Sequence, residues 1–171
     1  MGYKYSYQKV EENTARAVLL DAPISTKQSI EVCSRLRNKT VEYAKTYLDA
    51  VINKERAVKY TRFTNGAGHK TGIGPGKFPV KTADLVLKLV NVAESNATSK
   101  GLGTDLKIVH LSAQKASTPW HQGRLKRRKT KRTHIEIVVQ EVEKKQSKKS
   151  EDKKQDKPEI KEEVKKTEDK K

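Results

Sequence analysis

Leu106-Lys-Ile-Val-His-Leu-Ser-Ala113 and His134-Ile-Glu-Ile-Val-Val-Gln-Glu-Val142 are the two stretches whose reading decides the fold. Both are short, rich in β-branched and apolar residues, and free of glycine and proline, which marks them as strands. In the second, Ile135, Ile137 and Val139 share one face, while Glu136, Val138 and Gln140 share the other, the period of two that a pleated strand imposes. The two can pair as one antiparallel hairpin. Residues 114–133 connect them, about 20 residues and far more than a tight turn; structureless connections of that length are uncommon inside a compact domain. The strands are therefore expected to continue outward as an arm.

Toward the amino terminus the pattern changes to a helical period. Ala83, Val86, Leu87, Val90 and Ala97 mark a helix that starts near Lys81 and should stop near Gly101, a residue type suited to the C′ position. Residues 56–79 carry five glycines and two prolines and are expected to form an irregular loop rather than a regular element. Thr40 can cap a helix in which Ala44, Tyr47, Leu48 and Val51 recur at i, i+3, i+4 and i+7. Ser25 followed three residues on by Gln28 suggests a capping box for a first helix over 26–37, with Ile30, Cys33 and Leu36 on one face. Residues 14–20, bounded by Pro23, read as a strand. Three strands and three helices make the fold class α+β.

Residues 143–171 contain only Ile160 and Val164 as large apolar side chains, too few for a core. This tail is expected to be disordered, with transient helix around 159–166; a specific interaction arm is the alternative. The domain is accordingly placed at residues 1–142, with the hairpin arm at about 106–142. Lys and Arg outnumber Asp and Glu by 38 to 21, a net +17. The tail holds 12 Lys against 9 acids, so +14 sits on residues 1–142. A polyanionic partner is the natural reading, and a merely soluble basic protein the bland one. No run of about 18 apolar residues occurs, so membrane insertion is not expected. Cys33 is the single cysteine, which leaves no internal disulfide and no thiol cluster for zinc and fits a reducing, cytosolic setting. Set among Ile30, Val32 and Leu36, it reads as a buried core thiol.

The densest chemical signal is the run Arg124, Lys126, Arg127, Arg128, Lys129, Lys131 and Arg132, with no acid between Asp105 and Glu136. On a slender ribbon these charges repel, and phosphates would convert that cost into counterion release. A solvated face or a targeting signal is the alternative. Trp120 and His121, between Pro119 and Gly123, lie where a core cannot reach them. Trp120 either stacks on an unpaired base or folds back on the ribbon or onto a protein neighbour. In the loop, Arg62, Asn65, His69, Lys70 and Lys77 are interleaved with glycines that let backbone amides approach phosphates; a surface loop with no ligand is the alternative. Lys27, Arg37, Lys39 and Lys115 complete the set of cations expected at RNA. Gly74-Pro-Gly-Lys77 lacks the first glycine of a phosphate loop, position 71 being Thr, and Phe78 follows the lysine, so nucleotide hydrolysis is rejected. His69, His110, His121 and His134 have no metal-ligand spacing, and no nucleophile motif occurs. No catalytic residue, metal or cofactor is expected, and His110 and His134 are read as hydrogen-bonded members of the sheet.

Six local strings carry a resemblance: Thr14-Ala-Arg-Ala17, Leu36-Arg-Asn-Lys-Thr40, Asn65-Gly-Ala-Gly-His-Lys70, Gly76-Lys-Phe-Pro79, Val92-Ala-Glu-Ser-Asn-Ala97 and Thr133-His-Ile-Glu-Ile137. In this order and spacing, over about residues 5–142, the chain resembles the universal large-subunit ribosomal protein L twenty-two family in its archaeal and eukaryotic branch. The resemblance implies a three-stranded antiparallel sheet packed on three helices, a hairpin lining the nascent-peptide exit tunnel, and no enzymatic activity. It implies that Asn65, His69, Lys70 and the cations of 124–132 contact ribosomal RNA, and that Pro119, Trp120, His121, Gln122 and Gly123 lie toward the tunnel-side tip. The partners would be large-subunit ribosomal RNA, neighbouring large-subunit proteins and the nascent peptide, in the cytoplasm and without homo-oligomerisation. The connection departs from the family: it is shorter than usual and lacks a Pro-Arg-Ala followed by Gly-Arg-Ala, Gly123-Arg124 being the nearest remnant. A different class of function is a ribosome-surface module that recruits folding or targeting factors. An enzyme acting on RNA would need a metal or acid–base cluster that these residues do not supply.

Overall fold

The structure is a computed structural model and describes residues 3–9 and 11–142. Its elements run β1 (Thr14–Ala22), α1 (Thr26–Leu36), α2 (Val41–Ile52), β2 (Val58–Lys59), β3 (Gly68–Lys70), β4 (Gly74–Lys77), α3 (Val80–Ser99), β5 (Leu106–Lys115) and β6 (Thr133–Glu141), with a single 3-10 turn at Gly123–Leu125. The carboxy-terminal strand takes the middle of an antiparallel sheet ordered β1-β6-β5. Ile137 lies opposite Ala17 on one side and Leu111 on the other. The α+β class and the three-on-three arrangement are as expected. The tail expectation, residues 143–171, lies outside the described residues.

The alternation read along β6 is what builds the core. Ile135, Ile137 and Val139 are fully buried and join the main apolar cluster, with α3 across β1 and β6, α1 against β5, and α2 on α3. Glu136 and Val138, which point the other way, are also fully buried, so the far face is covered too. Residues 3–9 do this: Tyr3 and Ser6 bond to Glu136, and the Tyr7 ring stacks on His110 with centroids 5.4 Å apart.

The helix signals were mostly kept. Thr40 Oγ1 accepts from the Tyr43 amide at 3.3 Å and caps α2, whose Val41, Ala44, Leu48 and Val51 are buried. Gly101, at φ +76°, closes α3 in a Schellman arrangement, with Leu102 N–H to Ala97 O at 3.1 Å and Gly101 N–H to Thr98 O at 2.9 Å. The capping box of α1 is not made. Ser25 is the N-cap but its side chain caps nothing, and Gln28 is turned toward α3, where it accepts from the Thr82 hydroxyl at 3.5 Å. Cys33 is buried, and burial pushes its thiol up to about 12, so it is the inert core thiol expected. Among the described residues no helix is long and apolar enough to cross a membrane.

The second correction concerns residues 56–79. The segment is not wholly irregular: β4 pairs with β2 and β3 in a small sheet ordered β2-β4-β3. Strands this short carry no readable period, and the glycines serve the pairing. A Cβ on Gly76 would stand 3.0 Å from Lys70 Cγ and 3.4 Å from the Val58 carbonyl.

Packing of β6 predicts a graded response. Ile137→Ala should lower the unfolding free energy by about 3 kcal/mol, read from urea denaturation. Val92→Ala, at a site half exposed on α3, should change it by less than about 0.5 kcal/mol. Equal losses would mean that the β6 face is not the core.

Candidate nucleic-acid interface

The arm is held at its root by the connection between β1 and α1. Asp21 sits at φ +50° within an irregularity of the β1–β6 pairing. Its amide donates to His134 Nδ1 at 3.1 Å, and its carbonyl accepts from Arg132 Nη1 at 2.9 Å. Thr133 is fully buried and donates its hydroxyl to the Ile24 carbonyl at 3.0 Å. His110 lies within hydrogen-bond distance of Ser6 Oγ, 3.1 Å, so both strand histidines are partnered in the sheet as expected.

Beyond the Lys115–Thr133 pair the ladder loses its regularity but not its partners. Ala116 N–H to Arg132 O at 3.2 Å, Thr130 N–H to Pro119 O at 2.8 Å and His121 N–H to Arg128 O at 2.9 Å tie the two limbs together. The turn is made by Gly123, at φ +66°, through the bonds Lys126 N–H to Gly123 O and Arg128 N–H to Leu125 O. Of the expected tip residues, Gly123 opens the turn, and Pro119, Trp120, His121 and Gln122 lie on the limb leading into it. Arg124, Lys126, Arg127, Arg128, Lys129 and Lys131 are all exposed, while Arg132 is half-buried at the root. Trp120 is 58% exposed; Lys129 Nζ stands 4.3 Å over its ring, and with Lys126 and Arg127 it lines a hollow of about 380 Å³. The indole is thus on the ribbon and also open.

The glycine-rich segment is held by one carboxylate. Glu31, in the middle of α1 and 2% exposed, accepts the backbone N–H groups of Arg62 and Phe63, each at 2.8 Å, together with the N–H and hydroxyl of Thr61 at 3.2 Å. Burial alone would push its pKa up; the three amides and the hydroxyl outweigh that and hold it below the ordinary 4.5. Around this anchor the expected cations rest on rings: Lys27 and Arg62 over Phe63, Lys70 over Phe78, and Lys77 over Tyr60. Asn65 and His69 are exposed. Arg37, by contrast, donates to the Leu111 carbonyl at 2.9 Å and braces β5, and Lys39 lies over Tyr43. Lys115 is exposed where the regular ladder ends.

Glu136 is the counterpart of Glu31 on the far face. It accepts from the Tyr3 hydroxyl at 2.7 Å, the Ser6 amide and hydroxyl at 2.8 Å, and Gln114 Nε2 at 2.9 Å. Burial raises its pKa, and the Tyr3 and Ser6 bonds overcome this to lower it; the Tyr3 hydroxyl is itself pushed up to about 12 by burial and by this bond. Neither glutamate was singled out from the sequence. Each is, however, a lone acid in a basic stretch: Glu31 is the only one between Asp21 and Glu42, and Glu136 the only one between Asp105 and Glu141. Among the described residues no cluster of His, Cys, Asp or Glu could hold a metal ion.

A small α+β body that buries Glu31 and Glu136 and exposes cations on a projecting ribbon and a braced loop defines a class: small basic α+β proteins with a cationic arm. Comparison with known proteins narrows this. Residues 17–140 match the family described as Ribosomal protein L22p/L17e, and the chain belongs to that family. Its relatives include the Large ribosomal subunit protein uL22 of Ignicoccus hospitalis, 39% identical over 80% of this chain and 93% of that protein. The protein of the same name from Methanosphaera stadtmanae is 38% identical over 80% and 96%. The family is one of ribosomal proteins and not of enzymes.

The two buried carboxylates fix the acid limb of stability. Both have folded-state pKa values below 4.5, so the unfolded chain binds protons first as pH falls. Their contribution is fully present above about pH 4.5 and is lost as pH drops through the lower folded values. Glu31→Gln or Glu136→Gln should cost about 2 kcal/mol at pH 7 and flatten the loss below pH 4.5 in urea titrations. An acid limb as steep as that of the parent chain in both variants would refute the assignment.

Proposed function

We propose that this chain is a structural constituent of the large ribosomal subunit that binds large-subunit ribosomal RNA through its arm and glycine-rich segment. In this reading the arm helps to line the exit tunnel of the nascent peptide, with neighbouring ribosomal proteins as further partners, a cytoplasmic location and no catalytic role. Residues 1–142 form the RNA-binding domain. The observation that carries the proposal is the arm itself: six exposed cations at 124–131, with no acid between Asp105 and Glu136. Such charges on two narrow limbs repel each other until phosphates replace their counterions, so most of the affinity should be sequence-independent and salt-dependent. Trp120 adds an exposed indole beside Lys126 and Arg127, able to stack an unpaired base.

A recruiting module would depend on apolar surface. The large exposed apolar side chains Leu20, Tyr43, Val92, Trp120, Leu125 and Val142 lie on β1, α2, α3, the arm and the end of β6 rather than on one element. That distribution favours the RNA reading.

Sedimentation of cell extract through sucrose at low and high salt tests the assignment. The protein should travel with the large subunit and stay there after a high-salt wash; absence from ribosomal fractions would overturn the proposal. With purified chain and large-subunit ribosomal RNA, Arg127→Ala and Arg128→Ala should each reduce the slope of log affinity against log salt by about 1, and an unchanged slope in both would remove the arm from the interface.

A further inference from the structure

Tyr43 and Tyr47 lie one turn apart on α2, their rings 6.0 Å between centroids and 22° from parallel. Lys39 Nζ stands 5.8 Å from the Tyr43 centroid, and the Arg56 guanidinium 4.9 Å from that of Tyr47. The result is a cluster of two stacked rings, each with a cation over it: Lys39 with Tyr43 and Arg56 with Tyr47. Tyr47 is 6% exposed, but Tyr43 is 40% exposed. Of these four residues only Lys39 belongs to the interface described above.

The row occupies a seam of the helix. At 100° per residue, Ala44, Leu48 and Val51 turn toward the core on one side, while Glu42 and Asp49 lie about 100–120° round the axis on the other. The acids therefore do not share the tyrosine row. Tyr47 stacks on the Tyr43 ring, and the ammonium of Lys39, an exposed side chain, stands over that ring as well. A flexible ammonium can leave that position without a steric cost, and a flat ring with cations beside it suits a flat ligand that carries negative charge.

We propose that Tyr43 is a stacking platform for an unpaired base of ribosomal RNA. The base replaces Lys39 over the exposed ring, and the Lys39 ammonium moves to that nucleotide's phosphate. Aromatic faces accept any base, while the cation tracks the backbone. This contact rests on the large-subunit reading and adds a further RNA-facing surface besides the arm and the glycine-rich segment. A packed aromatic pair that merely supports α2 would also hold the rings together, but it would not need the ring of Tyr43 as such.

The test uses the full chain and deproteinised large-subunit ribosomal RNA, with affinity measured over a range of salt and base reactivity probed with dimethyl sulfate. Tyr43→Ala should bind about 10-fold more weakly at every salt concentration without a change in slope, and should expose an adenine or cytosine that the parent chain protects. Tyr43→Phe should bind as the parent does. Lys39→Ala should lower the slope by about 1. If Tyr43→Ala does not fold, Tyr43→Leu supplies apolar bulk over Tyr47 without a planar ring, and the same loss is expected. Parent-like affinity and base reactivity in the Ala or Leu variant would overturn the stacking role and leave the large-subunit reading intact. A slope reduced by Tyr43→Ala as much as by Lys39→Ala would reduce the contact to charge alone and overturn it as well. Failure of the parent chain to bind the RNA at all would bring down both readings.

Discussion

Like charges on one small body repel, and residues 1–142 carry a net +14 that the fold must hold without cancelling. Acid pairing cannot serve most of the cations, because 26 stand against 12 acids there. Among the described residues only two side-chain ion pairs occur, Lys45 with Glu94 and Lys88 with Asp84. Eight cations rest on rings instead, where about two such contacts would be ordinary for this length. A ring attracts a cation through its quadrupole without placing a carboxylate beside it. The most deeply buried acids complete the arrangement, because Glu31 and Glu136 bond to amides and hydroxyls rather than to lysines or arginines.

That division of labour explains why both glutamates sit where they do. Glu31 reaches from α1 to the start of the glycine-rich segment, so a helix with a packed face fixes the chain that carries Arg62 and leads to Asn65 and His69. Glu136, at the middle of the central strand, gathers residues 3–9 over the far face of the sheet. Both faces of β6 are thereby buried from Ile135 to Val139, in the strand whose continuation becomes the arm. The root at Thr133 shares this burial, while the limbs beyond it depend on isolated cross-bonds. Rigid support and loosely tied tip follow from the same strand.

The sheet and helices were legible because their signals were periodic: β6 alternates, α2 and α3 keep the helical spacing, and Thr40 and Gly101 punctuate them. The sheet of β2, β3 and β4 was not, since two to four residues show no period and glycine with proline reads as a loop. Gln28 satisfied a capping motif but found a tertiary partner in Thr82, a contact that local sequence does not display. The cations of the candidate interface are a reading from charge alone. Their supports could not be read in that way, although the lone acids Glu31 and Glu136 were a usable signal. The alternation Tyr3, Tyr5, Tyr7 went unread as a signal, although the structure sets Tyr3 against Glu136, Tyr5 against Arg16 and Tyr7 on His110.

A cation parked on a ring differs from one held in an ion pair in what it leaves behind. When a lysine leaves a carboxylate for a phosphate, the acid remains beside the incoming polyanion, unpaired and repelling it. When it leaves a ring, what remains is an apolar plane that a base can cover, so both halves of the old contact gain a partner from the same nucleotide. The Lys129–Trp120 pair on the arm and the Lys39–Tyr43 pair on α2 have this form, each with an exposed ring. The Lys77–Tyr60 pair does not, because Tyr60 is buried and its ring cannot be uncovered by moving the lysine alone. In the proposed RNA-binding reading, ring exposure therefore separates the contacts open to exchange with a nucleotide from those that only hold the body together.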